Sequence, residues 1–296
     1  MEKTVEDLLN FGVVIIDKPK GPTSHQVSAW VRDILHIKKT GHAGTLDPKV
    51  TGVLPIGLNR ATKIINLLHL LPKEYVGVMR LHKNVEKEKL ERVMREFVGE
   101  IYQVPPLRSA VARKLRKRKV YSLEILDMED RDILFRALVE SGVYIRTLCN
   151  DIGEALCVGA HMEDLRRTAT GHFREKDAHT LQDLLDAYIF WKEDGDEDYI
   201  RRIIRPGEDI VSFLPKIVVR NSTVDALAHG APLYKPGIVE MDKIEKGEYV
   251  AVYTKNGELI SVSQALLEED IVAIPFRVIM EPGRYPKGWR ARRLAD

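Results

Sequence analysis

Apolar positions in the first two thirds of the chain switch repeatedly between strand-like runs and helix-like spacing. The run 12-GVVII-16 is short and continuous, which is typical of a buried strand. Four later apolar residues are spaced i, i+3, i+4 and i+7 and predict one face of an amphipathic helix. They are Leu90, Val93, Met94 and Phe97. Further strands are predicted at 74–81, 120–128 and 132–141, and further helices at 24–35, 60–71, 145–156 and 180–191.

Local signals refine two of these helices and one loop. Ser24 is the expected N-cap of the first helix. Thr180 and Asp183 have the spacing of a capping box at the start of the last one. The segment 39–52 contains three Gly, one Pro and three Thr, so it predicts a long turn-rich loop.

The last third of the chain has a different pattern. It follows an acidic stretch at 193–198 and a linker-like segment at 205–215. Short apolar runs then alternate with turns, and they lie at 216–220, 249–254, 259–263 and 271–279. Asn256-Gly257, between two of these runs, is a strong signal for a tight hairpin. We therefore expect a small all-β unit of about 75 residues, with a barrel as its architecture.

Composition places the 296 residues among ordinary globular proteins. Charged residues make up 30% and hydrophobic residues 44% of the chain, which excludes disorder along its whole length. No window approaches the roughly 20 apolar residues of a membrane span, and the start is too polar for a signal peptide. Cys149 and Cys157 form neither a disulfide framework nor a zinc-ligand spacing. We expect a soluble intracellular protein with no metal and no membrane partner.

Basic residues are unevenly distributed although the net charge is only +2. The segment 101–123 contains seven basic residues and no acidic one, and 284–293 contains five and no acidic one. The segment 12–73 contains only three acidic residues. Several separated basic segments indicate a surface for a polyanion, and nucleic acid is the expected partner. A solvated charged surface is the alternative for any one segment.

Asp47 is the first candidate for chemistry. The glycines of the segment 39–52 permit unusual backbone geometry, and Pro48 favours an extended conformation for Asp47. A carboxylate in such a loop, surrounded in sequence by lysines, is placed where an anionic substrate would arrive. The alternative is an aspartate that only stiffens the turn. Phosphate-loop, dinucleotide-binding and nucleophile-elbow motifs do not occur in the sequence.

Segments around this loop resemble the TruB-type pseudouridine synthases. The segment 41-GHAGTLDPKVTGVLPIGLNRAT-62 looks like the family's signature, 15-IIDKPKGPTSHQV-27 like its N-terminal motif, and 142-GVYIRTLCNDIGEALCVGAHMEDLRRTATG-171 like its third motif. The segment 101-IYQVPPLRSAVARKLRKRKVYSLEIL-126 resembles the archaeal and eukaryotic dyskerin branch. In the last third, 223-TVDALAHGAPLYKPGI-238 resembles a PUA domain, a small RNA-binding barrel.

The resemblance implies an α+β pseudouridine synthase fold, with a central mixed and largely antiparallel sheet flanked by helices. Residues 1–213 would form the catalytic domain, including a mobile thumb segment at about 103–122, and residues 214–296 a PUA pseudo-barrel. The implied enzyme is an isomerase. It detaches a uracil from its ribose, turns it and rejoins it through carbon, with one essential aspartate and no cofactor.

Site residues follow from the same resemblance. Asp47 lies at the position of the essential aspartate, as a nucleophile at the sugar or as a base and electrostatic stabiliser. The target base would leave its stack to reach it. Arg146 would form an ion pair with Asp47. The other implied substrate-binding residues are His42 in the space of the flipped nucleotide, Tyr75 stacked on the uracil, Tyr144 of the third motif, and Leu165 against the base.

Basic residues implied to contact RNA lie in the first motif, the thumb segment and the C-terminal unit. They are Lys18, Lys20, Arg113, Lys114, Arg116, Lys117, Arg290 and Arg292. Phosphate contacts from such residues would make RNA binding strongly salt-dependent. Exposed loop residues without RNA contact are the alternative.

Members of the dyskerin branch work inside a box H/ACA ribonucleoprotein, where a guide RNA selects the target uridine. The implied partners are the guide RNA, target rRNA and tRNA, a small zinc-bearing protein, a glycine-arginine-related protein and a kink-turn-binding protein. Archaeal members also modify the T-loop uridine of tRNA without a guide. Eukaryotic members carry lysine-rich tails that this sequence does not show, so a cytoplasmic archaeal protein is expected rather than a nucleolar one. A stand-alone tRNA pseudouridine synthase and a non-catalytic RNA scaffold or chaperone stay open as alternatives.

Overall fold

A computed structural model describes residues 3–104 and 114–286, so Arg113, Arg290 and Arg292 lie outside the described residues. The helices are α1 (Val5–Asn10), α2 (Ser24–Ile34), α3 (Lys87–Glu96), α4 (Ile145–Ala155), α5 (Leu181–Ile189), α6 (Asp198–Ile203) and α7 (Asn221–Ala228). The strands are β1 (Gly12–Lys18), β2 (Thr40–His42), β3 (Thr51–Leu58), β4 (Lys73–Leu81), β5 (Gly99–Gln103), β6 (Arg116–Glu129), β7 (Asp132–Val139), β8 (Ala160–Thr170), β9 (Phe173–Arg174), β10 (Ile204–Pro206), β11 (Lys216–Val219), β12 (Leu233–Tyr234), β13 (Ile238–Met241), β14 (Tyr249–Tyr253), β15 (Leu259–Glu268) and β16 (Ile271–Val278). None of the described helices is both long enough and apolar enough to cross a membrane.

These elements form two compact units. Among the described residues, the larger unit contains 14–56 and 66–203, and the smaller contains 3–13, 57–65 and 204–286. The domain limit predicted at 213/214 stays a prediction, because this grouping follows spatial contact and joins three separate segments of the chain.

A mixed sheet forms the larger unit. Its strand order is β1-β3-β8-β4-β7-β6-β5, with β2 beside β3 and β9 beside β8. Strand β8 is parallel to β3, through the pairs Thr51↔Arg166 and Gly52↔Arg167, and antiparallel to β4. The strands β4, β7, β6 and β5 continue as an antiparallel series. The predicted α+β class, with a mixed and largely antiparallel sheet, is confirmed.

Helices α3 and α4 bury apolar side chains against this sheet. Leu90 and Met94 of α3 lie in one cluster with Ile152 of α4. Val93 and Phe97 are partly buried against the same cluster. The helical face predicted from the spacing of these residues is therefore confirmed, and each fully buried one stabilises the fold by about 1.5–3 kcal/mol.

Two predictions of local structure are corrected. The N-cap of α2 is Thr23 rather than Ser24, because Thr23 Oγ1 accepts the Gln26 N–H at 3.1 Å and Gln26 Oε1 accepts the Thr23 N–H at 2.8 Å. The helix predicted at 60–71 is a pair of short 3-10 segments, since Ile64 leaves helical geometry with a φ of −122°.

Two other elements of the larger unit differ in how well their sequences predict them. The capping box of Thr180 and Asp183 is confirmed at the start of α5. Strand β8 is an element that the apolar pattern did not predict. Its residues 163-EDLRR-167 are nearly all charged and lack the alternation that marks a half-buried strand.

A second sheet forms the described part of the smaller unit, in the order β12-β16-β15-β14-β11-β13. The hairpin predicted at Asn256-Gly257 is confirmed, because the Thr254 N–H donates to the Glu258 carbonyl at 3.0 Å and Gly257 has a φ of +80°. Helix α7 contributes Leu227 to the buried core of this unit. The unit is rich in strands, as expected from its short apolar runs.

Candidate active site

Asp47 lies in the loop between β2 and β3, where the backbone closes into a tight turn. The Asp47 carbonyl accepts a hydrogen bond from the Val50 N–H at 2.9 Å, with Pro48 as the second residue of the turn. Proline suits this position because its ring fixes φ at about −65°. The Asp47 side chain is 55% exposed. The predicted turn-rich loop therefore presents its carboxylate to solvent.

Leu46 attaches this loop to the start of α2. The buried Leu46 donates its N–H to Ser24 Oγ at 2.8 Å, and its carbonyl accepts a hydrogen bond from the same hydroxyl at 3.1 Å. Both main-chain groups would otherwise be buried without a partner. Ser24 thus stabilises the residue next to Asp47.

Lys18 supports the loop from the interior. Its side chain is fully buried, and Nζ donates to the carbonyls of Pro19 at 2.9 Å, Val50 at 2.8 Å and Pro48 at 3.3 Å. Burial lowers the pKa of Lys18, while the negative charge of Asp47 raises it in part. The predicted contact of Lys18 with RNA phosphate is corrected, because its donors are used internally and its amine does not reach the surface.

The carboxylate of Asp47 forms an ion pair with Arg146, the second residue of α4. Arg146 Nη2 donates to Asp47 Oδ2, and both side chains are about half-exposed. The two residues are 99 positions apart in the chain. A guanidinium at this place orients the carboxylate and leaves its other oxygen open to a substrate.

Gln103 positions the start of α4, where Tyr144 is the N-cap residue. The buried amide of Gln103 contacts both main-chain groups of Tyr144. Gln103 Oε1 accepts the Tyr144 N–H at 2.9 Å, and Gln103 Nε2 donates to the Tyr144 carbonyl at 3.2 Å. Sequence reasoning missed Gln103, and its signal was a polar residue at an inward-facing position of β5.

Tyr75 and Leu165 lie on the neighbouring strands β4 and β8. Tyr75 is opposite Arg167, and Gly77 is opposite Leu165. A Cβ atom at Gly77 would come within 2.7 Å of Leu165 Cδ1, so the two strands pack closely. Leu165 belongs to the same buried cluster as Leu46, and Tyr75 packs against it. The structure thus brings the predicted aromatic and apolar residues to the side of the sheet that carries the Asp47 loop.

His42 ends β2, five residues before Asp47. Its ring contacts the ring of His25 edge-on, with 4.7 Å between centroids, and Nε2 lies 3.4 Å from Thr45 Oγ1. Burial lowers the pKa of His42 to about 4, and the charges of His25, Arg167 and His69 act in the same direction. The imidazole is therefore uncharged at neutral pH.

The remaining basic residues predicted to contact RNA fall in two places. Lys20 is exposed near the loop, with Nζ 3.9 Å from Asp164 Oδ1. Arg116 begins β6 opposite Gln103, Lys117 forms an ion pair with Glu100 at 2.7 Å, and Lys114 just before them is exposed. Arg113, Arg290 and Arg292 lie outside the described residues.

The site combines one accessible carboxylate with one arginine, one aromatic ring and an apolar wall. A single carboxylate suits attack on, or stabilisation of, one sugar carbon, whereas ordinary glycoside hydrolysis uses a pair. Within residues 3–104 and 114–286, no group of three or more His, Cys, Asp or Glu side chains is arranged to hold a metal ion.

The chain matches known families along most of its length. Residues 32–145 match the TruB family pseudouridylate synthase (N terminal domain), residues 146–212 the tRNA pseudouridylate synthase B C-terminal domain, and residues 215–274 the PUA domain. The chain is 53% identical to the "Probable tRNA pseudouridine synthase B" of Methanocaldococcus jannaschii, over 99% of this chain and 90% of that protein. It is 52% identical to the protein of the same name from Archaeoglobus fulgidus, over 98% and 92%.

Solved structures agree with these matches. The chain superposes on the "Crystal structure of the archaeal box H/ACA sRNP Nop10-Cbf5 complex" with a TM-score of 0.89 and 47% identity, covering 97% of this chain and 92% of that one. It superposes on the "Crystal Structure of a Cbf5-Nop10-Gar1 Complex" with a TM-score of 0.91 and 48% identity, covering 96% and 90%. The PUA unit predicted from the sequence is confirmed.

Proposed function

Because the chain belongs to the TruB family of pseudouridylate synthases, we propose that it converts uridine to pseudouridine in two classes of RNA. One is ribosomal RNA, selected by a box H/ACA guide RNA, and the other is tRNA, at the T-loop uridine without a guide. Family membership makes the protein an isomerase, as predicted. The observation that carries the proposal is the ion pair of Asp47 and Arg146 in an accessible loop.

The proposed reaction breaks the bond from uracil N1 to ribose C1′ and forms a bond from uracil C5 to the same carbon. The hydrogen of C5 leaves as a proton, and N1 gains one. Asp47 either adds to the sugar carbon or stabilises the positive charge that develops there and takes the C5 proton. Both roles need a carboxylate held in a fixed orientation, and the hydrogen bond from Arg146 provides it.

We assign the remaining site residues to binding of the flipped nucleotide. Tyr75 stacks on the uracil and Leu165 packs against it, which their position on adjacent strands supports. His42 occupies the space that the base leaves, and an uncharged imidazole suits stacking there. Tyr144 contributes to the same pocket through its place at the start of α4. Lys20, Lys114, Arg116 and Lys117 contact RNA phosphates in this assignment.

The partners proposed are those of a box H/ACA particle. Solved structures with 46–48% identity carry the names Nop10, Gar1, H/ACA RNP and substrate RNA, which supports two small partner proteins and an RNA substrate here. We infer in addition a guide RNA, and that the two proteins are the small zinc-bearing protein and the glycine-arginine-related protein. A kink-turn-binding protein completes the particle. A cytoplasmic location belongs to the same proposal, and archaeal relatives support it.

A stand-alone tRNA pseudouridine synthase is the second candidate, because the relatives carry the name tRNA pseudouridine synthase B. The two candidates differ in whether rRNA modification requires a guide. A scaffold without catalysis is disfavoured by the Asp47–Arg146 ion pair.

The test is release of tritium from RNA labelled at C5 of uridine, because the new bond displaces the hydrogen of that carbon. The protein is incubated alone with tRNA, and then with guide RNA and partner proteins on a guided target. Asp47→Asn is the control in each case and is expected to bind RNA normally but to release nothing. Release from rRNA without a guide would favour the stand-alone enzyme. A substantial residual rate of release in Asp47→Asn would overturn the assignment of Asp47.

A further inference from the structure

Arg167 is the largest fully buried side chain of the described residues, and it lies beneath the proposed site. Among those residues it makes no ion pair with a carboxylate. Burying a cation is costly unless its donors are satisfied, so a guanidinium at this place needs a compensating set of acceptors. The segments that carry these acceptors are the ones that Arg167 connects.

The first acceptors belong to the Asp47 loop and to β3. Arg167 Nε donates to the Val53 carbonyl at 2.8 Å, and Nη2 donates to the Gly44 carbonyl at 2.9 Å. Gly44 has a φ of +75°, and a Cβ atom there would lie 2.9 Å from Arg167 Nη1. The loop backbone therefore packs directly on the guanidinium, three residues before Asp47.

The other contact of Arg167 is with Tyr75. The two residues are opposite each other in the antiparallel pair of β4 and β8, so their side chains point to the same face of the sheet. Burial lowers the pKa of Arg167, and the electrostatic interaction with Tyr75 acts against this shift. One side chain thus touches both the loop that carries the carboxylate and the strand that carries the aromatic ring.

We propose that Arg167 is a positioning residue for the isomerisation: it sets the Asp47 loop and the ring of Tyr75 at a fixed separation, without touching the RNA. This inference rests on the proposed function, since the separation matters only if a uracil lies between the two groups. Arginine is required because its planar fork donates from two nitrogens to main-chain carbonyls on two different segments, those of Val53 and Gly44. A lysine keeps the charge but not this geometry.

The neighbouring residue, Arg166, lies on the opposite face of the sheet and has different partners, so the contacts of Arg167 are specific to its own position on β8. Arg166 binds the carboxylate of Asp17 through Nη1 at 2.9 Å and Nη2 at 3.0 Å. Arg166 therefore connects β8 to β1 through an ion pair with Asp17. Arg167 instead connects β8 to the Asp47 loop and to β3 through uncharged main-chain carbonyls.

The main test compares Arg167→Lys with Arg136→Lys, an exposed arginine on β7 of the same sheet. We expect Arg167→Lys to lower the single-turnover rate about 10- to 100-fold at saturating RNA, because misplacement by about 1 Å has effects of that size. RNA affinity should change less than about threefold, and Arg136→Lys should match the unaltered protein. A normal rate in folded Arg167→Lys overturns the proposal.

A double-mutant cycle with Tyr75→Phe separates positioning from general stabilisation. If Arg167 acts through the Tyr75 hydroxyl, the rate loss from Arg167→Lys is much smaller in the Tyr75→Phe background. Independent, multiplicative losses refute action through Tyr75.

Gly44→Ala is the second variant, in case Arg167→Lys does not fold. Its methyl group would push the loop off the guanidinium, so the rate should fall by a similar factor. Gly195→Ala is its control, since Gly195 has a similar φ of +72° and no heavy atom within 4 Å of an added Cβ. Equal rates in the two alanine variants overturn the proposal.

NMR titration of His42 provides a readout without turnover. Removing the charge in Arg167→Gln should raise the pKa of His42 above its value of about 4, whereas Arg136→Gln should not. If the unaltered protein modifies neither RNA while His42 responds in this way, the proposed function fails and the placement of Arg167 under the loop stands. If the protein is active and His42 does not respond, the placement itself is refuted.

Discussion

Ser24→Ala is the substitution that most directly tests how the Asp47 loop is held. The Ser24 hydroxyl forms two hydrogen bonds with Leu46, one to its N–H at 2.8 Å and one to its carbonyl at 3.1 Å. Both residues are buried, and α2 has its N-cap at Thr23, so the substitution leaves the capping box intact. The change therefore removes only the attachment of the loop.

The expected magnitude follows from these two bonds. A typical hydrogen bond contributes about 1 kcal/mol, and a buried group left without a partner costs about 1–3 kcal/mol. Loss of both bonds should lower the free energy of local opening by about 2–4 kcal/mol, which corresponds to an opening equilibrium constant roughly 30- to 1000-fold larger. Displacement of the Asp47 carboxylate should lower the single-turnover rate about 10- to 100-fold.

Native-state hydrogen exchange of the Leu46 amide measures the opening directly, and tritium release measures the rate. Ser222→Ala, at an exposed serine in α7, is the matched control and should leave both unchanged. Exchange of the Leu46 amide at its original rate in Ser24→Ala would refute the reasoning, because the loop would then be held by other interactions.

Three further predictions concern the same site. Gln103→Leu removes the side-chain partner of the Tyr144 N–H, while the Tyr144 carbonyl still accepts the Leu148 N–H, and it should lower the single-turnover rate at least tenfold; a normal rate would contradict the role of Gln103. Neutralising Lys114, Arg116 and Lys117 should reduce the slope of log K against log salt by about 0.7–0.9 for each RNA phosphate that these side chains neutralise, and an unchanged slope would exclude this segment from RNA binding. His42 has a pKa of about 4 in the folded protein and 6.5 as its ordinary value, so the unfolded state takes up its proton first and stability falls as pH falls from about 6.5 to about 4. The melting temperature of His42→Phe should therefore drop less over this range than that of the unaltered protein.

Local patterns predicted the features that depend on neighbouring residues. The hairpin at Asn256-Gly257 and the capping box of Thr180 are fixed by turn and cap chemistry within a few residues. The face of α3 follows from helical periodicity alone. Strand β8 was not predicted from the apolar pattern, because its charged residues either form ion pairs or, like Arg167, are buried. Its sequence therefore does not alternate between apolar and polar residues.

The supports of the site depend on contacts that are distant in sequence. Resemblance to the family identified Asp47 and Arg146, but no spacing rule shows that Lys18 points inward or that Gln103 reaches Tyr144. Ser24 was predicted as an N-cap because capping is judged from neighbouring residues. Its hydroxyl instead forms a hydrogen bond with Leu46, 22 residues later in the chain. Such residues have partners that only the folded chain reveals.

The distance along the chain between Asp47 and its partners also orders the folding of the protein. Arg146 follows Asp47 by 99 residues, and Arg167 follows Gly44 by 123. Closing loops of that length is slow because chain entropy is lost before any contact forms. During synthesis, Asp47 also leaves the ribosome before α4 and β8 are made, because both elements lie about 100 residues or more later in the chain. The contacts of Arg146 with Asp47 and of Arg167 with Gly44 form only once α4 and β8 have been made, so an incomplete chain contains Asp47 without these two arginines.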